Sequence, residues 1–463
     1  MQATMRSVTV GRYAIPLGPR AAANALVAEV RSMSLALRLW LALLLGIMGL
    51  AAIAALVAIP PGWEVFGTSP SFEWGLMIVA YVFFAIMTSG LCLSSSLGTV
   101  FGLERFRPLE KRHAILAVLS LSTAFGIIAL DLHFPVRLVF GAMLVPSPSS
   151  PMWWMGVFYG LYLVVLLVEV WSMFTPHPTI HQWSCTAAAM IAVCAPTTLG
   201  LVFGVLSAKS FWHGPLTPVI MVASAFLAGT ALLGIVFFAV WRFNLQDRGR
   251  AVSMGIPSIR LLLAIGLVLV AALLTLKLVM GLAGGEPGLR DATIALLSGP
   301  LGVPFWIVRV LLGLVIPLLL VSVPMTRTPT WLFVAALGAL AGVLVDRYLF
   351  VMAGQIVPIT AGAGTVSSPY ASYAPSIVEL VIVGGAAAFM AFVYTLAERY
   401  LDLEEGEIHA FFPWPWLTPH DDEPVEAEAA TPATTPAVAT AAAATAAVET
   451  PAVELPVVVE ARA

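Results

Sequence analysis

Charge is what this sequence has least of. Asp, Glu, Lys and Arg make up 10% of its 463 residues, against about 25% in an ordinary soluble domain. Lysine occurs only at Lys111, Lys209 and Lys277. A soluble fold needs a largely charged exterior and a nucleic-acid binder needs a basic one; both classes are excluded. Cysteine is as rare. Cys92, Cys185 and Cys194 lie in apolar runs without C-x-x-C spacing, so no iron–sulfur, zinc or disulfide motif is present. Of the histidines, His113, His133, His177, His181 and His213 sit at the ends of apolar runs, and His409 and His420 lie near the C-terminus. A b-type haem needs ligands from facing helices inside a bundle, and the sequence offers no such mid-run pair. What the chain has instead is apolar residues, 60% of the total, and a mean hydropathy of +0.98.

These apolar residues are grouped. A hydrocarbon core of about 30 Å needs about 20 residues of helix. Runs of that kind fall at 35–59, 72–101, 112–132, 152–174, 183–206, 214–241, 257–283, 292–322, 328–352 and 373–398. They are continuous rather than alternating, which excludes barrel strands and predicts an all-α polytopic membrane protein of ten helices. The first run follows a 34-residue head and ends at no small-residue cleavage site, so it reads as a retained helix rather than a signal peptide. Helices two to five and six to nine are expected to form two four-helix bundles, with the first and tenth helices peripheral.

Lys and Arg in the short loops set orientation. The head carries Arg6, Arg12, Arg20 and Arg31, the loop after the second run Arg105, Arg107, Lys111 and Arg112, and the loop after the sixth Arg242, Arg248 and Arg250. The alternate loops hold only Arg137, Lys209 and Arg290. Both termini are therefore expected in the cytoplasm, with the protein in a bacterial inner membrane. The organisation read from the sequence is a cytoplasmic head at 1–34, a membrane domain at 35–398, an interfacial segment at 399–422 with Trp414 and Trp416, and a patternless Ala/Thr/Pro tail at 423–463. The tail is expected to be disordered.

Ionisable residues inside spans are costly and mark function by default. Asp131, His133 and Arg137 fall within seven residues at one membrane edge. Glu169, Asp346, Arg347 and Glu379 lie within predicted helices, as do Lys277 and Arg309, and Gln355 follows Arg347 by two helical turns. One reading is a quinone headgroup site with proton relays, because a quinol releases protons that a carboxylate or imidazole must take. The other is internal salt bridging, of Asp346–Arg347 with Glu379 or Glu169 and of Asp131 with Arg137. His177 and His181, four residues apart, have the spacing of a metal-binding pair or are simply two histidines on the cytoplasmic rim.

Five stretches, "FGLERFRPLEKR" (101–112), "DLHFPVRLVFGAM" leading to "SPMWWMGVFYGLYLVVLLVE" (150–169), "FWHGPLTPVIMVASAFLAGTALL" (211–233), "DRYLFVMAGQIVP" (346–358) and "YAPSIVEL" (373–380), together resemble the NrfD/PsrC family of quinone-reactive membrane subunits. With ten spans, the chain is similar to the long branch that includes the membrane subunits of alternative complex III. The resemblance implies a subunit with no haem and no iron–sulfur cluster of its own. It implies exchangeable menaquinone/menaquinol near the periplasmic face, and a periplasmic iron–sulfur subunit as electron partner. Further membrane subunits, and cytochrome c or molybdopterin subunits, would complete the complex, which has no nucleic-acid partner. By position it places the quinone pocket at Asp131, His133 and Arg137, with Tyr159, Glu73 and Trp74 as cofactor-binding residues, and makes Glu169, Asp346, Arg347 and Glu379 the relay candidates. Proton translocation is proposed for some members. The sequence departs from the family pattern at Leu132-His133-Phe134, where a glycine–arginine is usual, and at Ser71-Phe72-Glu73, where the short branch has an Asn/His pair. The competing classes are a secondary transporter, which would show inverted repeats and matched broken helices, and a passive anchor of a redox complex.

Overall fold

The computed structural model describes residues 7–10, 13–16, 19–58, 65–70, 72–103, 106, 110–132, 145–175, 177–243, 255–284, 286–357, 370–401 and 403. Most of the interfacial segment expected at 399–422 (402 and 404–422) and all of the tail expected at 423–463 lie outside them, as do His133 and Arg137. A small antiparallel hairpin, β1 (Ser7–Val10) and β2 (Tyr13–Pro16), precedes the short helix α1 (Pro19–Ser32). The remainder is helical. Ten helices are long and apolar enough to cross a membrane, so this is an all-α multi-pass membrane protein.

The spans are α2 (Leu35–Ala58), α3 (Leu76–Thr99), α4 (Glu110–Asp131), α5 (Pro151–Met173), α6 (Pro178–Gly204), α7 (Leu216–Phe243), α8 (Ile256–Ala283), α10 (Pro304–Ser322), α11 (Pro329–Ala353) and α12 (Ile377–Tyr400). Proline at the first or second position opens five of them, α5, α6, α8, α10 and α11; there the missing N–H costs nothing and φ is already helical. The run expected at 292–322 is broken in two. A separate helix, α9 (Pro287–Leu297), ends at Ser298-Gly299-Pro300, where the Ile294 carbonyl accepts from both Ser298 N (2.9 Å) and Gly299 N (3.0 Å). Glycine and proline together cannot continue a helix. The span itself starts at Pro304 and is π-helical through Val315.

Helices α3, α4, α5 and α6 pack as one bundle, and α7, α8, α10 and α11 as a second. Helices α2 and α12 pack on each other, and α12 also lies against α4. The bundles meet where α7 crosses α3. A β-carbon added at Gly90 would strike the Ala225 carbonyl, and one added at Gly229 would strike the Gly90 backbone. Only glycine permits that approach, the small-residue packing common between membrane helices. Spans alternate in direction, so α3, α5, α7, α10 and α12 begin at the face where α4, α6, α8 and α11 end. We call this the upper face and the other the lower face.

Candidate functional site

At the upper face, loop residues are fastened to helix ends. Gln355 lies just past the end of α11, and its side chain forms a reciprocal pair with Trp74: Trp74 N donates to Oε1 (3.0 Å) and Nε2 donates to Trp74 O (3.0 Å). The Trp74 ring stacks on Trp212 at 4.9 Å and meets the edge of Phe203 at 5.1 Å. Trp212 Nε1 in turn donates to the Phe350 carbonyl (2.7 Å). Trp74 therefore stands in an aromatic block, in the loop before α3 rather than on the helix. Glu73 is exposed beside it, and its charge acts on Lys209, whose amine burial pulls below its ordinary value.

Glu379 is fully buried. Its carboxylate accepts from Gly67 N (3.0 Å), Leu76 N (3.2 Å), Ser376 N (2.8 Å) and the Tyr373 hydroxyl (2.8 Å). With Ser376 it forms a capping box at the start of α12, the arrangement that satisfies the free N–H groups of a helix N-terminus. Burial, reinforced by this carboxylate, pushes the Tyr373 phenol far above its ordinary value, so it remains a donor. Asp131 closes α4 at this face, partly exposed and within electrostatic reach of Glu379.

Below Asp131, the interior of the first bundle is polar. Helix α5 buries Tyr159, Tyr162, Leu166, Glu169 and Ser172 along one stripe, at spacings of three and four that align on a helix face. Against it α3 presents Ser89 and Cys92, Ser89 opposite Tyr159 and Cys92 opposite Tyr162. The Ser89, Tyr159 and Tyr162 hydroxyls and Glu169 Oε2 are shut from solvent and meet no partner at full hydrogen-bond geometry, although Tyr159 interacts with Ser89 and Tyr162 with Cys92. Four weakly satisfied polar atoms in file are unusual, since buried polar groups are nearly always well paired by protein or water. From Tyr159 to Glu169 the file spans about 15 Å at the helical rise.

The file ends below in a cluster of ionisable groups. Glu169, 1% exposed, lies 3.3 Å from His113 Nε2 and accepts from the Cys185 thiol at 3.7 Å. Cys185 is 3.5 Å from His181 Nε2. His181 engages both ring nitrogens, Nε2 with Glu110 (2.7 Å) and Nδ1 with Ser172 (3.1 Å). Glu110, His181 and Cys185 bring ligand atoms within 4.8 Å of one another. Two nitrogen or oxygen ligands of one zinc ion, each about 2.0–2.1 Å from the metal, stand about 3.3 Å apart; the 2.7 Å His181–Glu110 contact is a hydrogen bond instead. His177, offered above as the partner of His181, is exposed and stacks on Trp171 at 5.6 Å.

A family model described as polysulphide reductase, NrfD, matches residues 64–359. The chain belongs to the NrfD family. It is 24% identical over 352 residues to an Hdr-like menaquinol oxidoreductase integral membrane subunit of Archaeoglobus fulgidus, covering 73% of this chain and 86% of that one. It is 23% identical over 384 residues to a selenate reductase subunit of Mesobacillus selenatarsenatis, covering 73% of this chain and 88% of that one. The NrfD match contains the whole column from Glu110 to Tyr159, and leaves α2 and α12 outside, Glu379 among them.

The residues singled out from the sequence of this NrfD chain are not brought to one place. Asp131, Glu73, Trp74 and Glu379 lie at the upper face, Tyr159 and Glu169 at opposite ends of the file, and Asp346 and Arg347 in the second bundle, where Asp346 bridges Arg309 (2.7 Å) and Arg347. Glu379 and Glu169 are not partners of that ion pair. Sequence reasoning missed Glu110, His113, Cys185, Cys92 and Tyr162, and named His181 only as a partner of His177. The signal was there in the i, i+4 spacing of His181 and Cys185 and in the Tyr159–Tyr162–Glu169–Ser172 stripe, which place polar groups on the buried side of their helices.

Proposed function

We propose that this chain is the quinone-reactive subunit of a multi-subunit oxidoreductase, and that the polar file of the first bundle carries protons between the lower face and a quinone site at the upper face. The observation that carries this reading is the buried run of Ser89, Tyr159, Tyr162 and Glu169 oxygens, none at full hydrogen-bond geometry with a partner, leading from an ionisable cluster toward Asp131. Such a file serves proton transfer, and an anchor would have no use for it.

The residues fit a quinone headgroup. The buried Tyr159 hydroxyl is only weakly engaged, by Ser89, and Asp131 is a partly exposed carboxylate, so a donor and an acceptor stand at the upper end. Menaquinol, when bound, supplies two electrons and two protons. Asp131 accepts a proton there, with His133 and Arg137 following it in sequence. Trp74 closes the apolar side. In this reading a partner iron–sulfur subunit at this face takes the electrons. The Lys and Arg bias makes the upper face periplasmic and the lower face cytoplasmic. Glu169 is the relay group of this reading. Asp346 and Glu379 have both oxygens occupied, and they hold helices together.

The test is made on the complex with its partners, in sealed vesicles. Asp131→Asn and His133→Phe are each expected to slow quinol oxidation by about 10²-fold or more, the usual worth of a positioned acid or base, with assembly intact. Glu169→Gln is expected to lower protons released per electron. Wild-type turnover in both pocket variants would place the pocket elsewhere, and an unchanged proton ratio would remove the file from the mechanism.

A further inference from the structure

The second bundle encloses a cavity that the proton file does not use. The cavity, of about 40 Å³, lies between α7, α8, α10 and α11. Its walls are apolar except for Ser224 and four charged side chains, Lys277, Arg309, Asp346 and Arg347. Three of those are basic and one is acidic, so basic groups outnumber acidic ones in this space.

The single acid cannot answer them. Asp346 Oδ1 accepts from Arg309 Nε at 2.7 Å, and Oδ2 accepts from Arg347 Nη2. Arg347 Nη2 also reaches Ser224 at 3.2 Å, and Nη1 touches the Met221 sulfur. Three donors remain. Lys277 Nζ, Arg309 Nη1 and Arg347 Nε are shut from solvent and have no acceptor. Arg309 and Arg347 are 2% and 1% exposed. Lys277 lies over the Phe211 and Phe350 rings, 4.2 Å and 4.9 Å from their centroids. Ring faces compensate a buried ammonium far less than an opposite charge does.

The backbone is shaped for this arrangement. Arg309 sits in the middle of the π-helical stretch Pro304–Val315. Phe305, Arg309 and Gly313 are buried there at intervals of four, while Trp306, Ile307, Leu311 and Leu312 face outward. The wider π-turn keeps Arg309 on the interior line, and π-segments within helices concentrate at functional sites.

We infer that this cavity binds an oxyanion, a carboxylate or phosphate, with Lys277, Arg309 and Arg347 as its donors. Two guanidinium groups and an ammonium around one space are the set that recognises such a group. The apolar walls accept a hydrocarbon portion, so an acidic lipid headgroup and free phosphate share the required chemistry.

The full chain is placed in nanodiscs of phosphatidylcholine alone with added inorganic phosphate, and in nanodiscs containing phosphatidylglycerol. Native mass spectrometry then reads what stays bound after lipid stripping. One bound anion per chain is expected in at least one arm, and the arm that shows it identifies lipid or phosphate as the source. Lys277→Met, close in shape and outside the Asp346 ion pair, is expected to weaken retention at least tenfold, and Lys277→Arg to preserve it. Absence of any retained anion in both wild-type arms overturns the inference, as does equal retention by Lys277→Met.

Discussion

Acids buried in the helices of this protein have different surroundings, and these separate their roles. Glu398 pairs with Arg112 at 2.9 Å and accepts from Tyr394 at 2.7 Å, joining α12 to α4. Asp346 is held by two guanidinium groups and Glu379 by four donors. Glu169, by contrast, keeps an oxygen unengaged. Removing Glu379 strands the Gly67 and Ser376 N–H groups, while Leu76 N keeps the Tyr373 hydroxyl at 2.7 Å; each unsatisfied buried group costs about 1–3 kcal/mol. Glu379→Ala is therefore expected to lower stability by at least about 2 kcal/mol, read as a fall in melting temperature in detergent. Glu169→Gln keeps an oxygen to accept from the Cys185 thiol and strands no backbone N–H, and is expected to melt close to wild type while altering proton release. The depth of these acids was legible in the sequence, because charge inside an apolar run stands out. Their partners were not. Glu110, His113 and His181 lie at the ends of their runs, which suggested the membrane rim. In the fold those ends pack against one another, and the three side chains are buried.

At the scale of elements, the spans were readable because lipid requires long continuous apolar helices. Nine of the ten predicted runs coincide with one helix to within about five residues at either end, as boundaries read from sequence usually do. The eighth did not, because Ser298-Gly299-Pro300 interrupts an otherwise apolar run. The π-helix had no counterpart in hydropathy, since it changes the turn and not the composition. Contacts between elements were also hidden. Gly90 and Gly229 look like any other membrane glycines, yet at this crossing a side chain has no room. Gly229→Val is expected to force α7 off α3 and to abolish recovery of folded protein, overpacking being costly even where less extreme. Gly384 meets nothing within 4 Å, and Gly384→Ala is expected to be neutral or to stabilise by up to about 1 kcal/mol, the ordinary helix-propensity gain. Comparing the two by size-exclusion profile and melting temperature separates seam packing from a general intolerance of glycine substitution.

For the whole molecule, ten spans place the start of α2 and the end of α12 on the same side. Their lower ends are joined there by Arg399, which donates to Glu29 of α1 at 2.6 Å. Arg260 closes the same face of the second bundle by donating to the carbonyls of Leu320, Val321, Val323 and Thr326. A reporter fused after Arg250 is expected to share the side of one fused at the C-terminus, and a reporter in the 207–213 loop to report the opposite side. Any other pattern would undo the assignment of the quinone face. The two bundles differ in charge as well as in place: the first is lined with acids, imidazoles and hydroxyls, the second with cations.

The glycine crossing has a mechanical meaning. Gly90 is next in chain to Ser89 and two residues from Cys92, so the seam runs beside the polar file. With no side chain to act as a cushion, α7 and α3 touch backbone to backbone, and packed interiors yield little under load. A small displacement of α7, for instance on filling the cavity that it lines, would be passed to Ser89 almost undiminished.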